Sequence, residues 1–222
     1  MSCNQFVELL PGQGEITDKA EDVCPVDWAL KIADKARLNN CGKSVMCRDG
    51  MNQMYTIILD ITTEKGRPKD VELLRDICTV IKESQGCDIA AKAAMLIDES
   101  IRLYGEEWDA HTRRKRCTAL VCEKYYTVHI LPEKCRGAGE CIKVCWYGAI
   151  AGGEGLVSVI DNDKCRRCGE CYNICPSGAI VRAGAVKPRI PEVPVPVGGQ
   201  PSAEEGDGGM RRRKRKAADS EE

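Results

Sequence analysis

Histidine and phenylalanine are scarce in this chain, which has two histidines and one phenylalanine among 222 residues. Two histidines leave few options for acid–base catalysis, and no Ser-His-Asp, Cys-His or paired-carboxylate arrangement stands out. No apolar run approaches the roughly 18 residues of a membrane span. The first residues lack a basic region and a long apolar stretch, so we expect no secretory signal and a cytoplasmic chain. The net charge of −1 does not decide for or against nucleic acid.

Cysteine, by contrast, is abundant, with 15 residues in the chain. In a secreted protein this number would indicate disulfide bonds. In a reducing compartment, closely spaced cysteines indicate metal binding instead. The spacing of the cysteines therefore carries most of the information.

An internal repeat contains half of these cysteines: residues 129–150 align with residues 159–180 without a gap, and 11 of the 22 positions are identical. The second copy places Cys165, Cys168, Cys171 and Cys175 in a Cys-x2-Cys-x2-Cys-x3-Cys run followed by Pro176. This is the ligand run of bacterial two-cluster ferredoxins. A zinc ribbon would instead have two distant Cys-x2-Cys pairs. Electron transfer is therefore the leading hypothesis.

In two-cluster ferredoxins the fourth cysteine of each run binds the cluster of the other run. The exchange predicts one complete [4Fe–4S] site, formed by Cys165, Cys168, Cys171 and Cys145. We call it the complete site.

The other half of the repeat supplies Cys135 and Cys141, to which the exchange adds Cys175. Ala138 stands where the remaining cysteine is expected, and a methyl group cannot bind iron. Three interpretations remain open for this three-thiolate site: a [3Fe–4S] cluster, a [4Fe–4S] cluster with one iron bound to water or to a partner's ligand, or no cluster.

Composition and periodicity divide the chain into four regions and predict an α+β fold. Residues 1–25 look irregular, and residues 26–116 show four amphipathic helical patterns that predict a four-helix bundle. Residues 117–186 contain the repeat, with short β-type runs at 125–130 and 156–160, as expected for a ferredoxin-like α+β domain. Residues 187–222 form a Pro/Gly-rich and basic tail, which we expect to be disordered alone or extended as a strap on a partner.

A further cysteine pattern lies in the helical region, where Cys41, Ser44, Cys47 and then Arg48 are followed forty residues later by Cys87. It resembles the iron–sulfur bundle at the C-terminus of the NADH-binding flavoprotein subunit of respiratory complex I. That family has Cys-Gly-x-Cys-x-x-Cys-Arg and a distant cysteine, so the resemblance implies Cys41, Cys47 and Cys87 as ligands of a third cluster. Ser44 replaces the second cysteine, and Cys24 or Cys3 could supply the missing thiolate.

The resemblance extends over about residues 26–185. In the related flavoprotein subunits of NAD(P)-linked electron-bifurcating hydrogenases and formate dehydrogenases, a ferredoxin-like pair follows the bundle directly. Those relatives carry a flavin- and nicotinamide-binding domain upstream, whereas this sequence has no Gly-x-Gly-x-x-Gly loop. We therefore expect no flavin or NAD on this chain. The resemblance implies two partners: a flavoprotein, and a catalytic subunit of hydrogenase, formate dehydrogenase or heterodisulfide reductase type.

Three smaller signals also carry expectations. The pair Cys117 and Cys122, with the two histidines His111 and His129 on either side, could bind zinc between the bundle and the repeat. We expect Cys78 to be a core residue and Trp146 to shield the complete site from water. The basic run at 211–216 suggests docking on an acidic subunit surface more than nucleic-acid binding.

These patterns predict an electron-transfer subunit with no catalytic site of its own, within a larger oxidoreductase. Two alternatives stay open. In one, the chain is a structural adaptor that keeps only the complete [4Fe–4S] cluster. In the other, it is a redox-sensing regulator that binds nucleic acid through the tail.

Overall fold

The computed structural model of the chain describes residues 10, 23–84 and 87–198. Cys3 and the basic run at 211–216, both considered above, lie outside the described residues. The described part is α+β, as predicted: helices come first and short strands follow.

Five helices form the first part of the chain: α1 (Pro25–Asn39), α2 (Met51–Thr62), α3 (Asp70–Glu83), α4 (Asp88–Leu103) and α5 (Gly105–Thr112). The first four correspond to the four predicted amphipathic patterns. The short α5 was not predicted, because its eight residues hold too few apolar positions to show a period. A π-helical turn, Met46–Gly50, leads directly into α2.

The helices pack around one apolar core, with α1 against α2 and α4, and α3 against α4. Burial on α1 follows the helical period, since Val26, Ala29 and Ala33 are fully buried. Trp108 of α5 is also buried, and its indole Nε1 donates to Ser100 Oγ of α4 over 3.3 Å. The unpredicted helix therefore closes the core instead of lying on its surface.

Short antiparallel strand pairs follow: β1 (Thr127–Ile130), β2 (Ile150–Ala151), β3 (Leu156–Val157), β4 (Val159–Ile160), β5 (Ile180–Ala183) and β6 (Val195–Pro196). β1 pairs with β5 from Thr127 opposite Ala183 to Ile130 opposite Ile180, and β2 pairs with β4. Two short helices, α6 (Glu140–Lys143) and α7 (Glu170–Ile174), contact each other. Each half of the repeat thus contributes a strand, a cysteine loop and a helical turn.

The first part of the predicted tail is extended and lies on the chain itself. Val195 pairs with Val157, and Pro196 with Leu156, so that β6 joins β3. In the described segment 187–198, the Pro/Val-rich stretch thus adds a strand to its own molecule, where we had considered a strap on a partner.

Two expectations about single residues have different outcomes. Cys78 is fully buried on α3, and burial raises the pKa of its thiol to about 12, as fits a core residue. Trp146 does not shield a site, because 93% of its surface is exposed. Among the described residues, no helix is long and apolar enough to cross a membrane.

Candidate metal centres

The four cysteines predicted for the complete site line one cavity, of about 570 Å³. Cys165 and Cys168 come from the loop before α7, Cys171 from α7 itself, and Cys145 from the other half of the repeat. The loop turns sharply at Gly169, whose φ of 86° is easily adopted only by glycine. The exchange of the fourth cysteine between the halves therefore brings four sulfurs to one place.

The electrostatics of this cavity fit a cationic metal centre. Burial raises the pKa of Cys171 to about 11, and the nearby Cys165 and Cys168 raise it further. Four close sulfurs cannot all ionise unless a cation compensates their charge, and iron supplies it. The backbone N–H of Ala149 also donates to Cys145 Sγ over 3.4 Å, which favours the thiolate.

The three cysteines of the three-thiolate site line a second cavity, of about 350 Å³, together with Ala138. Cys135 precedes α6, Cys141 lies on α6, and Cys175 follows α7. The alanine methyl lies where the complete site has the sulfur of Cys168. The donor set thus fits a cluster with one position lacking a protein thiolate.

The sulfurs of Cys41, Cys47 and Cys87 form a third group within 4.8 Å of one another. Cys41 Sγ lies 3.9 Å from Cys47 Sγ, and Cys87 immediately precedes α4. Ser44 Oγ accepts a hydrogen bond from the Cys47 backbone N–H over 3.0 Å. The serine therefore holds the turn that carries Cys47. Burial raises the pKa of Cys47, so that this thiol also needs a cation to ionise.

A fourth group consists of Cys24, His111, Cys117 and Cys122, all buried and with ligand atoms within 4.8 Å of one another. His111 Nε2 lies 3.5 Å from Cys24 Sγ and 3.4 Å from Cys122 Sγ. On its other side, His111 Nδ1 lies 2.8 Å from the carbonyl oxygen of Glu107 and can donate to it. This contact leaves the Nε2 lone pair for a metal, as is usual for a zinc-bound histidine.

The predicted zinc group needs one correction, because the structure does not bring His129 to it. His129 lies on β1, where its Nε2 is 2.7 Å from Thr127 Oγ1. Cys24 takes its place, so Cys24 is not at the third group, for which it was considered. No spacing signal pointed to Cys24, which lies 87 residues before His111 and meets it only through the packing of α1 on α5.

Two protein-family profiles match the chain. Residues 27–111 match the NADH-ubiquinone oxidoreductase-F iron-sulfur binding region, and residues 158–181 match the 4Fe-4S binding domain. The first range contains Cys41, Cys47 and Cys87, and the second contains the full ferredoxin run. These matches confirm the resemblance inferred from the sequence, and they make this an iron–sulfur protein.

Several curated proteins are similar to parts of the chain. NADP-reducing hydrogenase subunit HndC of Solidesulfovibrio fructosivorans is 33% identical over 64% of this chain and 29% of its own length. The F 2 polypeptide of NADH-quinone oxidoreductase from Rhizobium meliloti is 27% identical over 44% of this chain and 23% of its own. NADP(+)-dependent formate dehydrogenase subunit beta of Moorella thermoacetica is 26% identical over 41% and 13%. The chain thus spans less than a third of these relatives.

Proposed function

We propose that this chain is the electron-relay subunit of a cytoplasmic multi-subunit oxidoreductase. In this role it passes electrons between an NAD(P)-linked flavoprotein and a catalytic subunit of hydrogenase, formate dehydrogenase or heterodisulfide reductase type. The names of the similar subunits support this assignment of partners. The observation that carries the proposal is the convergence of Cys145, Cys165, Cys168 and Cys171 on one cavity.

The residues of the chain hold and tune the redox groups. A cubane of iron and sulfide supplies one-electron transfer when it is bound. The thiolates of the complete site anchor it, and the apolar side chains of Val128 and Ile160 line the same cavity and limit water there. The three-thiolate site lies close by, since Cys141 on α6 and Cys171 on α7 belong to helices in contact. This proximity allows electrons to pass between the two sites.

The Cys41, Cys47 and Cys87 group extends the relay into the helical bundle in this proposal. Three converging sulfurs match the ligands implied by the resemblance, and the family profile covers the same region. The fourth group, with Cys24, His111, Cys117 and Cys122, has the ligand composition of a structural zinc site. We assign it to zinc, which joins α1 and α5 to the segment that leads into the repeat.

The test is anaerobic purification of the full chain, followed by iron and sulfide analysis and low-temperature EPR after stepwise reduction. We expect a reducible [4Fe–4S] signal that Cys168→Ala abolishes or converts to a three-iron form. Cys78→Ala is the matched control, because Cys78 is buried away from all four groups, and it should leave the signal unchanged. Colourless material, with cysteines that react as free thiols, would overturn the proposal.

A second candidate is the structural adaptor, which the substitutions Ala138 and Ser44 favour because each removes a thiolate from a cluster site. It requires that only the complete site bind iron. An iron content of roughly four per chain supports the adaptor, whereas about seven or more supports the relay.

A further inference from the structure

The two cavities of the repeat are built from equivalent positions. Ile130, Arg136 and Gly139 line the three-thiolate cavity, and Ile160, Arg166 and Gly169, thirty positions later, line the complete one. The relation also holds in the other direction, since Ala179 and Ile180 correspond to Ala149 and Ile150. Differences between the linings can therefore be compared position by position.

Three differences stand out, and two of them introduce a serine. Ala138 replaces Cys168, Ser158 replaces Val128, and Ser177 replaces Tyr147. The cavity that lacks one thiolate has thus gained two small hydroxyl groups in its wall.

Ser158 is held at this wall by close packing. Only 2% of its surface is exposed, and its hydroxyl hydrogen-bonds to the sulfur of Cys141. A side chain at Gly152 would lie 2.5 Å from Ser158 Oγ, so the glycine provides the space that the serine occupies. Val128 at the equivalent position of the complete site is also buried and has no hydrogen-bond donor on its side chain.

Ser177 is placed against a second sulfur of the same site, with its Oγ 3.6 Å from Cys175 Sγ. Burial raises the pKa of Cys175, but the hydrogen bonds from Ser177 and from the backbone N–H groups of Ala179 and Ile180 outweigh it. The net pKa is lowered. The environment thus favours negative charge on this sulfur.

A hydroxyl that donates to a cluster sulfur stabilises the reduced state more than the oxidised state, because reduction adds negative charge to the cluster. The loss of one anionic ligand at Ala138 acts in the same direction, since it lowers the negative charge that an added electron meets. Both differences between the cavities therefore raise the reduction potential of the three-thiolate site.

We propose that Ser158 and Ser177 are potential-tuning residues that make the three-thiolate site the higher-potential member of the pair, so that it receives electrons from the complete site. The inference rests on the proposed relay function and adds a direction to it. Each serine acts through the cysteine sulfur it contacts and needs no direct bond to iron.

The experiment is an anaerobic redox titration of the full chain, monitored by EPR, on a matched pair of variants. Ser158→Val reproduces the residue of the complete site, and Ser158→Thr has the same shape but keeps the hydroxyl. We expect Ser158→Val to move the potential of the three-thiolate cluster to more negative values, and Ser158→Thr to restore most of the original value. Ser177→Ala should also lower it, while the complete cluster keeps its potential in all three variants.

Val128→Ser is the reciprocal control, because it introduces the hydroxyl at the complete site. It should raise the potential of the complete cluster and leave the three-thiolate cluster unchanged. Unchanged potentials in Ser158→Val and Ser177→Ala would overturn the inference, as would a complete cluster of higher potential in the unmodified chain. If Ser158→Val loses its cluster, then Ser177→Ala and Val128→Ser still decide.

Failure of the inference can be told apart from failure of the relay. Iron analysis and EPR of the unmodified chain show first whether each site is occupied. An empty three-thiolate site beside a reducible complete cluster ends the inference and favours the adaptor. A chain with no cluster at all ends both proposals.

Discussion

The Nε2 atom of His111 lies 3.5 Å from the sulfur of Cys24, although 87 residues separate the two. The contact joins the start of α1 to α5, and Cys117 and Cys122 complete the group around it. Four buried ligand atoms of this kind, from distant parts of the chain, are costly to hold together without a metal. The first prediction concerns this group.

Removal of a ligand of the fourth group should remove zinc and leave iron in place. Cys24→Ser and His111→Ala are each expected to lose about one zinc per chain, because a structural zinc site needs all four ligands. Metal analysis by mass spectrometry checks this. His129→Ala is the matched control, since His129 lies on β1 outside the group, and its zinc content should stay at the level of the unmodified chain. Zinc loss in His129→Ala alone would contradict the assignment.

Ala138→Cys should complete the three-thiolate site. The new sulfur corresponds to that of Cys168, so the variant should bind a [4Fe–4S] cluster there and lose any three-iron EPR signal. Iron content should rise by about one per chain where the site holds a three-iron cluster. Ala138→Ser, of similar size, is the control and should not raise iron content to the same level. An unchanged spectrum in Ala138→Cys would contradict the ligand positions.

Ser44→Cys should strengthen iron binding by the third group. A fourth thiolate is a better ligand for iron than a hydroxyl, which prefers to stay protonated. We expect slower loss of iron to a chelator than in the unmodified chain. Ser44→Ala, by contrast, removes the acceptor for the Cys47 N–H and should speed the loss. Equal rates in the three proteins would mean that this group holds no iron.

Tyr125→Phe should destabilise the junction between the helices and the repeat. The Tyr125 hydroxyl is buried among the carbonyl oxygens of Ile61 and His111, and hydrogen-bonds to both. Its removal leaves these carbonyls with one donor fewer, at a cost of about 1–3 kcal/mol in the free energy of unfolding. Urea unfolding followed by circular dichroism measures it. Tyr172→Phe is the control, because the Tyr172 side chain is half exposed, and its midpoint should not change.

His129 should make the chain less stable at mildly acidic pH. Burial lowers the pKa of His129, and the charge of Lys187 lowers it further, so the folded imidazole stays neutral. Below about pH 6.5 the unfolded chain binds a proton that the folded chain does not, so stability falls with pH through this range. His129→Asn removes the titration, and its urea midpoint should change less between about pH 7 and pH 5. An equal change in both proteins would show that other groups dominate.

The sequence predicted the ferredoxin-like part of the chain in detail, because its ligands lie within short, regular spacings. The Cys-x2-Cys-x2-Cys-x3-Cys run and the repeat together indicated which cysteine each half lends to the other. The structure brings Cys145 to Cys165 as expected. The four main helices were also predictable, since each shows an apolar stripe over three or more turns.

The long-range contacts could not be predicted in this way. Cys24 has no motif around it, and only the packing of α1 against α5 carries it to His111. His129 was chosen for its residue type and its place in the sequence, and neither fixes where a strand directs a side chain. The short α5 and the pairing of β6 with β3 likewise depend on tertiary contacts that local patterns do not contain.

The exchange of cysteines between the two halves also sets the order of events during synthesis. In our assignment, the complete site draws on Cys145 and on residues up to Cys171, and the three-thiolate site waits for Cys175. On a ribosome, neither site has its full set of sulfurs until almost the whole repeat has emerged. Iron delivery to these sites is therefore a late step in the making of this protein, and truncation shortly before residue 171 leaves neither site with its full set.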